Sequence, residues 1–189
     1  MKLRLSLIVL LINLYCLQAN AAFLPIGPGP VSKDEIKAAA NHFPVLLGTN
    51  LEGDDVMLPT ELKGKFNLVL IAFERKQQAD VDTWIEATKG LSDEYKGFEF
   101  YELPVIKAMN AFIRFNINNG MRYGIPDKDQ RLRTITLYIN KESFKQALNI
   151  TNEQEVHALL VDDSGKIIWR ESGLSSTNKV ESLKLLLNE

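Results

Sequence analysis

The chain has 189 residues, of which 22 are basic and 24 acidic, and its formal net charge is −2 at pH 7. A mildly acidic chain lacks the basic face that nucleic acids and anionic membranes attract, so we expect neither as a partner. Its single cysteine, Cys16, rules out a disulfide framework within the chain. No second histidine or cysteine stands at motif spacing from His42 or His157 in the sequence, and no phosphate or dinucleotide fingerprint occurs, so we expect no metal and no cofactor.

Residues 1–21 have the pattern of a cleaved export signal. Lys2 and Arg4 precede a mostly apolar run, Leu5–Leu17, and Ala19-Asn20-Ala21 matches the small-x-small site of signal peptidase. The run is shorter than the roughly 20 residues that a membrane-spanning helix needs. We therefore predict cleavage after Ala21, an exported protein that is periplasmic or secreted, no integral membrane span, and a mature chain without cysteine.

Residues 22–44 are predicted to be a leader with one short helix. The segment from Ala22 to Pro30 is rich in proline and glycine and should be extended. Ser32 and Glu35 form a capping box for a helix that reaches about His42. Residues 45–189 contain no repeat and no linker, so we predict that they form a single domain.

Strands and helices alternate through this domain. Phe66–Phe73 is a nearly continuous apolar run, typical of a central strand that is buried on both faces. Other predicted strands cover two short segments within 44–58, and 98–103, 133–139, 156–161 and 166–171. Predicted helices cover 78–91, 105–116, 142–148 and a last segment capped by Asn178, and 118–131 is predicted to be irregular. The helix at 105–116 should turn Met109, Phe112 and Ile113 inward.

This order predicts an α/β fold with a central mixed sheet flanked by helices and an N-terminal hairpin extension. Three segments carry a resemblance to the thioredoxin-like superfamily, in its peroxiredoxin and periplasmic thiol-reductase variety. These segments are Leu51-Glu52-Gly53 through Leu62-Lys63-Gly64-Lys65, the strand ending at Phe73, and the hairpin from Leu159 to Trp169 followed by Gly173.

The resemblance also implies where redox members keep their chemistry. A catalytic Cys-x-x-Cys pair begins the helix after the Phe73 strand, where helix dipole and amides lower the thiol pKa. Gln78 and Val81 stand at those places here, and Val156 stands where a cis-proline is expected. A cis peptide before a residue other than proline costs about 2.5–4 kcal/mol, so we expect that feature to be absent as well. Thiol–disulfide and peroxidase activity are therefore not expected.

A narrower set of residues resembles the mitochondrial ATP synthase assembly factor family. It comprises the strand ending at Phe73, Trp84 in the next helix, and the closing hairpin from Leu159 to Trp169 followed by Gly173. This resemblance implies a chaperone-like role without thioredoxin chemistry.

An arginine-rich segment is the most unusual part of the sequence. Its candidate partner- or anion-binding residues are Arg114, Arg122, Asp127, Arg131 and Arg133. Arginine forks can bind a carboxylate or phosphate with two hydrogen bonds. The alternative is that these arginines pair with nearby carboxylates and attach a long loop to the sheet.

The sequence thus favours an exported, non-catalytic thioredoxin-fold protein that binds a protein partner, a peptide or a small anion. One alternative is a non-thiol enzyme that uses residues 114–133, with Asp127 or Glu102 as the acid or base. A second alternative is an assembly factor that resembles a chaperone.

Overall fold

The computed structural model describes residues 41–188, so the predicted export signal, the leader and nearly all of the first predicted helix lie outside the described residues. Seven strands form one mixed sheet. They are β1 (Leu46–Asn50), β2 (Asp55–Leu58), β3 (Phe66–Ala72), β4 (Phe98–Lys107), β5 (Ile135–Ile139), β6 (His157–Asp162) and β7 (Ile167–Ser172).

Six α-helices connect or follow these strands within the described residues. They are α1 (Gln78–Thr88), α2 (Leu91–Glu94), α3 (Ala111–Gly124), α4 (Lys128–Arg133), α5 (Lys141–Leu148) and α6 (Thr177–Leu187). A 3-10 turn, Arg75–Gln77, leads into α1.

The strand order in the sheet is β2-β1-β5-β4-β3-β6-β7. Parallel pairing joins β3 to β4 and β4 to β5, and the remaining neighbours pair antiparallel. Strand β3 lies between β4 and β6, which explains its continuous apolar sequence, since both of its faces are covered. The predicted α/β fold with a mixed sheet and an N-terminal hairpin is confirmed.

Two apolar layers cover the two faces of the sheet. One face packs Phe43 and the α5 side chains Phe144 and Leu148 against the odd-numbered core residues of β3 to β5. On the other face, Trp84 of α1 and Leu183 of α6 are fully buried. The Trp84 ring packs edge-on against the partly buried Trp169, with ring centroids 6.0 Å apart.

The prediction for residues 103–131 was wrong in two ways. Strand β4 continues through Pro104 to Lys107, because Val105 is a buried core residue that pairs with Leu137 of β5. The next helix therefore begins only at Ala111, where the Asn110 side chain accepts a hydrogen bond from the backbone of Ile113.

The predicted irregular stretch is mostly helical. Helix α3 continues to Gly124, and α4 follows with Asp127 as its N-cap. Arg133 consequently ends α4 and does not open a strand. Ser176, not Asn178, caps the last helix, since its side chain accepts from the backbone of Lys179.

In both edge strands, some backbone groups on the outer edge are hydrogen-bonded to neighbouring residues. The backbone N–H of Met57 in β2 donates to the Glu61 side chain, and its carbonyl accepts from the Glu61 backbone. At β7, the backbone N–H of Ile167 donates to the carbonyl of Asn41 at 2.6 Å. These contacts occupy groups that would otherwise pair with another strand.

Candidate functional site

Gln77 closes the loop after β3, the place where redox chemistry is expected in this fold. Its side chain is 1% exposed. The Gln77 Oε1 atom accepts from the backbone N–H groups of Phe73 at 2.7 Å and Glu74 at 2.9 Å, and Nε2 donates to the carbonyl of Glu153 at 2.8 Å. One buried amide thus joins the loop before α1 to the loop before β6.

Further polar contacts join the same two loops. Gln154 donates to the Glu74 carboxylate at 3.1 Å and accepts from Lys76 at 3.0 Å. Lys141 contacts the Glu153 carboxylate at 3.1 Å and the carbonyl of Phe73 at 3.2 Å. Hydrogen bonds from Lys76 to Glu74 and from Lys145 to Glu153 are the main reasons why the pKa of each carboxyl lies below its ordinary value. These loops therefore carry groups that are already paired with each other.

The three predicted redox-derived positions have different surroundings. Gln78 is exposed at the start of α1, whereas Val81 and Val156 are buried in the apolar layer beneath α1 and α6. The peptide bond before Val156 is trans, and within residues 41–188 cis geometry occurs at Leu58–Pro59. The correspondence of these positions with a redox site stays a prediction.

Glu102 is a buried carboxyl group in β4, 3% exposed. Its oxygens accept from the side-chain amides of Gln78 and Gln130, each at 3.2 Å. Burial raises the pKa of Glu102, and the negative charge of Asp82 raises it further. The shifted pKa is the property expected of an acid or base, but both oxygens already hold amide donors.

Glu52, at the turn between β1 and β2, binds two of the predicted arginines. Arg131 pairs with it through Nε and also donates to the carbonyls of Ile125 at 2.9 Å and Pro126 at 2.6 Å. Arg122 contacts the same carboxylate at 3.4 Å, with 48% of its side chain exposed, against 15% for Arg131. The hydrogen bond from Arg131 is the main cause of the lowered Glu52 pKa.

The remaining predicted residues are not gathered at one point. Arg133 pairs with Glu99, and its guanidinium lies over the Phe100 ring. Arg114 lies over the Tyr138 ring at 4.8 Å. Asp127 accepts from the backbone of Gln130 at 2.7 Å as a helix cap. The structure therefore brings Arg122 and Arg131 together, and gives each of the others a contact elsewhere.

Helix α3 has 14 residues and none of them is buried. Phe112, Phe115 and Tyr123 are 75%, 63% and 94% exposed, which contradicts the prediction that Phe112 and Ile113 turn inward. Successive residues turn by about 100° along a helix, so these three rings form one stripe on the solvent side, which we call the aromatic stripe. The half-buried positions lie on the opposite side and are Arg114, Ile117, Asn118 and Met121.

Tyr138 of β5 is one residue that holds α3 to the sheet. Its hydroxyl donates to Asn118 Oδ1 at 2.6 Å and lies 3.3 Å from the carbonyl of Arg114. Burial raises the pKa of Tyr138. Polar contacts and half-buried side chains thus fix the helix while leaving its aromatic stripe uncovered.

A concavity of about 400 Å³ lies at the C-terminal end of the stripe. It is lined by Asn119, Arg122, Tyr123 and Arg131.

Among residues 41–188, no cluster of three or more metal-binding side chains is present. None of the helices in this described part has the length and apolarity needed to cross a bilayer.

Residues 35–188, which are most of the chain, match the sequence pattern of the ATP10 protein family. The chain belongs to the ATP10 family. This confirms the resemblance to the ATP synthase assembly factors that the strand before Phe73, Trp84 and the closing hairpin indicated. No curated protein sequence matches the chain.

Solved structures similar to this ATP10-family protein share its fold at low identity. The thioredoxin domain of a thiol-disulfide oxidoreductase from Bacteroides vulgatus is 20% identical, with 79% of this chain and 97% of that chain covered and a TM-score of 0.54. BsSco, a member of the Sco family of cytochrome c oxidase assembly proteins, is 16% identical, with 78% and 92% covered and a TM-score of 0.56.

A third similar structure is a thiol:disulfide interchange protein, DsbE, from Chlorobium tepidum. It is 14% identical, with 79% of this chain and 96% of that chain covered and a TM-score of 0.53. These likenesses confirm the thioredoxin-like fold.

Sequence reasoning missed Gln77, Glu153 and the aromatic stripe. Nothing in the local sequence separates Gln77 from the polar residues around it, because its role depends on a loop 76 positions away. A signal for the stripe was available, since Phe112, Phe115, Asn119 and Tyr123 share helical spacing once the helix is placed from Asn110 onward.

Proposed function

We propose that this ATP10-family protein is a non-catalytic assembly factor that binds a protein partner through the aromatic stripe of α3. The observation that carries the proposal is the exposure of Phe112, Phe115 and Tyr123 on a helix without a buried residue. Exposed apolar patches of this kind mark interaction surfaces, and aromatic residues are enriched at the centres of protein interfaces. Membership of a family of ATP synthase assembly factors makes an ATP synthase component the natural partner.

Thiol chemistry is not part of this proposal. Cys16 is the single cysteine, and it lies within the segment predicted to be removed. At the expected redox position, the polar side chains of the loops are hydrogen-bonded to other groups of the protein. The side chains concerned are Gln77, Gln154 and Lys141. Acid–base catalysis is not proposed either, because Glu102 is buried with both oxygens bound to amides.

Complementation of a host that lacks its own ATP10-family protein tests the proposal. Phe112→Ser combined with Phe115→Ser should remove two of the three rings of the stripe, and assembled ATP synthase on a native gel should fall to the level of the empty host. Leu185→Ser is the matched control, since Leu185 is 72% exposed on α6 and lies outside the stripe. Cys16→Ser should support assembly as the wild type does.

Equal amounts of each variant and an unchanged melting temperature show that the stripe variant is folded. Full assembly with the double variant would refute the binding site. Loss of assembly with Cys16→Ser at an equal protein level would instead indicate that the cysteine is needed.

Export is also part of the proposal, with cleavage after Ala21 supported by the Ala19-Asn20-Ala21 pattern. The family's mitochondrial assembly role makes import into mitochondria the competing destination. The intact mass of the protein from its native source, together with its cell fraction, separates the two. A full-length chain that retains Cys16 would contradict the cleavage.

A further inference from the structure

The aromatic stripe and the arginine concavity form one continuous place for a partner. Asn119 and Tyr123 lie on the solvent side of α3 and also line the concavity, together with Arg122 and Arg131. A partner that covers the stripe therefore also reaches the two guanidinium groups.

The concavity carries a positive charge that can attract a negatively charged group of a partner. Arg122 and Arg131 share the single carboxylate of Glu52, so these three groups together carry a net positive charge. Arg131 has further partners in two backbone carbonyls, whereas Arg122 keeps one contact at 3.4 Å and remains half exposed. A second carboxylate can bind Arg122 without displacing Arg131. The sequence from Leu103 to Pro126 adds no acidic residue of its own to compete.

The shape of the stripe favours a helix as the occupant. Phe112 and Tyr123 are eleven residues apart, which corresponds to about 16 Å along a helix or about three turns. The side of a helix presents side chains and no unpaired backbone groups. A docked strand would leave its backbone N–H and C=O groups without partners, whereas a docked helix satisfies its own.

We infer that the partner segment is an amphipathic helix of about three turns, with an apolar face on the aromatic stripe and a flanking carboxylate that enters the concavity to bind Arg122. This inference rests on the proposed function and names the chemistry of the partner at that same surface.

Two other occupants fit the surface less well. Asn119 lies on the same side of α3 as the stripe, and a lipid surface would bury its amide in hydrocarbon, where lipid tails offer no hydrogen-bond partner. A second copy of the chain would present an α3 that carries Arg114 and Arg122 but no carboxylate.

Synthetic helical peptides test the charge rule directly. Three fluorescent peptides of about 14 residues share one leucine face and differ in a single flanking residue, which is Glu, Gln or Lys. By fluorescence anisotropy, the wild-type protein should bind the Glu peptide about tenfold more tightly than the Gln peptide, as expected for one charge-assisted hydrogen bond. Added salt should reduce this difference.

Variants of Arg122 complete the test. Arg122→Glu should reverse the preference toward the Lys peptide, and Arg122→Gln should remove the preference. Because Arg122 is half exposed, both variants should keep the wild-type melting temperature. Equal wild-type affinity for the three peptides, or a preference that survives in Arg122→Gln, would overturn the inference.

The assembly assay separates this inference from the proposed function. If Phe112→Ser with Phe115→Ser stops assembly while Arg122→Glu supports it, the stripe stands and the acidic helix is overturned. If the double variant supports assembly, the proposed function fails as well. Two further results would overturn the inference. One is sedimentation of the wild-type protein with phosphatidylcholine–phosphatidylglycerol vesicles, and the other is its dimerisation in analytical ultracentrifugation, provided that the double variant loses the same behaviour.

Discussion

The loops around Gln77 and the outer side of α3 differ in which groups they bury and which they expose to solvent. Around Gln77, polar groups are buried and each is bound to another part of the chain. On α3, large apolar rings such as Phe112 and Phe115 face solvent while polar contacts hold the helix from beneath.

This difference has a physical meaning because both arrangements have a free-energy cost. Burying an amide requires that its hydrogen bonds be replaced, and Gln77 achieves this with three partners. Exposing an aromatic ring forgoes roughly 1.5–3 kcal/mol of burial per side chain. The fold buries little of Phe112 and Phe115, so most of the free energy that burial of these rings would release is unused in the isolated chain.

Of the two regions compared, the loops around Gln77 should show the larger effect of substitution on stability. Gln77→Ala leaves two backbone N–H groups and the carbonyl of Glu153 without their partner, so the free energy of unfolding should fall by about 3 kcal/mol. Urea denaturation measures this change. Gln146→Ala, an exposed glutamine on α5, is the control and should change stability by less than about 0.5 kcal/mol. Equal stability of the two variants would show that the loops are not held by Gln77.

The second effect is a pH dependence set by Glu102. Its pKa is raised above the ordinary 4.5, so the folded state binds more protons than the unfolded chain between the two pKa values. The free energy of unfolding should therefore decrease as pH rises from about 4.5 through the raised pKa. Glu102→Gln should remove this slope, which urea denaturation across this pH range measures.

Glu52 provides a control of opposite sign. Its pKa is lowered by Arg131, so its contribution is present above pH 4.5 and is lost as pH falls through the lowered pKa. Glu52→Gln should reduce stability at neutral pH. An unchanged pH profile in Glu102→Gln would refute the account of the buried carboxyl.

The smallest effect is expected on α3. Phe112→Ala and Phe115→Ala should each change the free energy of unfolding by less than about 0.5 kcal/mol, because these rings bury little surface. Phe144→Ala is the matched comparison, and removal of that buried ring should cost about 3–5 kcal/mol. Thermal and urea denaturation of the three variants rank them. A loss above 2 kcal/mol for Phe115→Ala would mean that the stripe is part of the core.

Patterns that depend on neighbouring residues predicted much of the fold. The apolar run at Phe66–Phe73 located the central strand, and turn residues located the hairpin before β2 and the one between β6 and β7. Both follow from local chemistry, namely continuous burial and glycine-rich turns.

The region around α3 was predicted poorly for a physical reason. Pro104 suggested the end of a strand, but it pairs with Ala72 at the point where β4 changes its hydrogen-bonded neighbour toward β5. The aromatic residues suggested a core-facing helix, since burial is the usual fate of such rings. Periodicity identifies a side of a helix and cannot say whether that side meets the sheet or the solvent.

The candidate site depends on contacts between distant segments. Arg122 and Arg131 were singled out by their number and spacing, but Glu52, which holds both, lies 70 residues before Arg122 and 79 before Arg131. The alternation of side chains along β4 places Glu102 on the face of the sheet that α1 and α6 cover. Its amide partners, however, belong to α1 and α4. Such pairings are set by topology.

The Glu61 contacts at the β2 edge affect how the protein behaves at high concentration. With its N–H and C=O groups held by Glu61, Met57 offers no open edge for strand-to-strand growth. The aromatic stripe, by contrast, belongs to a helix whose backbone bonds are internal. At high concentration, neither Met57 nor the stripe should therefore offer the unpaired backbone groups from which cross-β fibres grow.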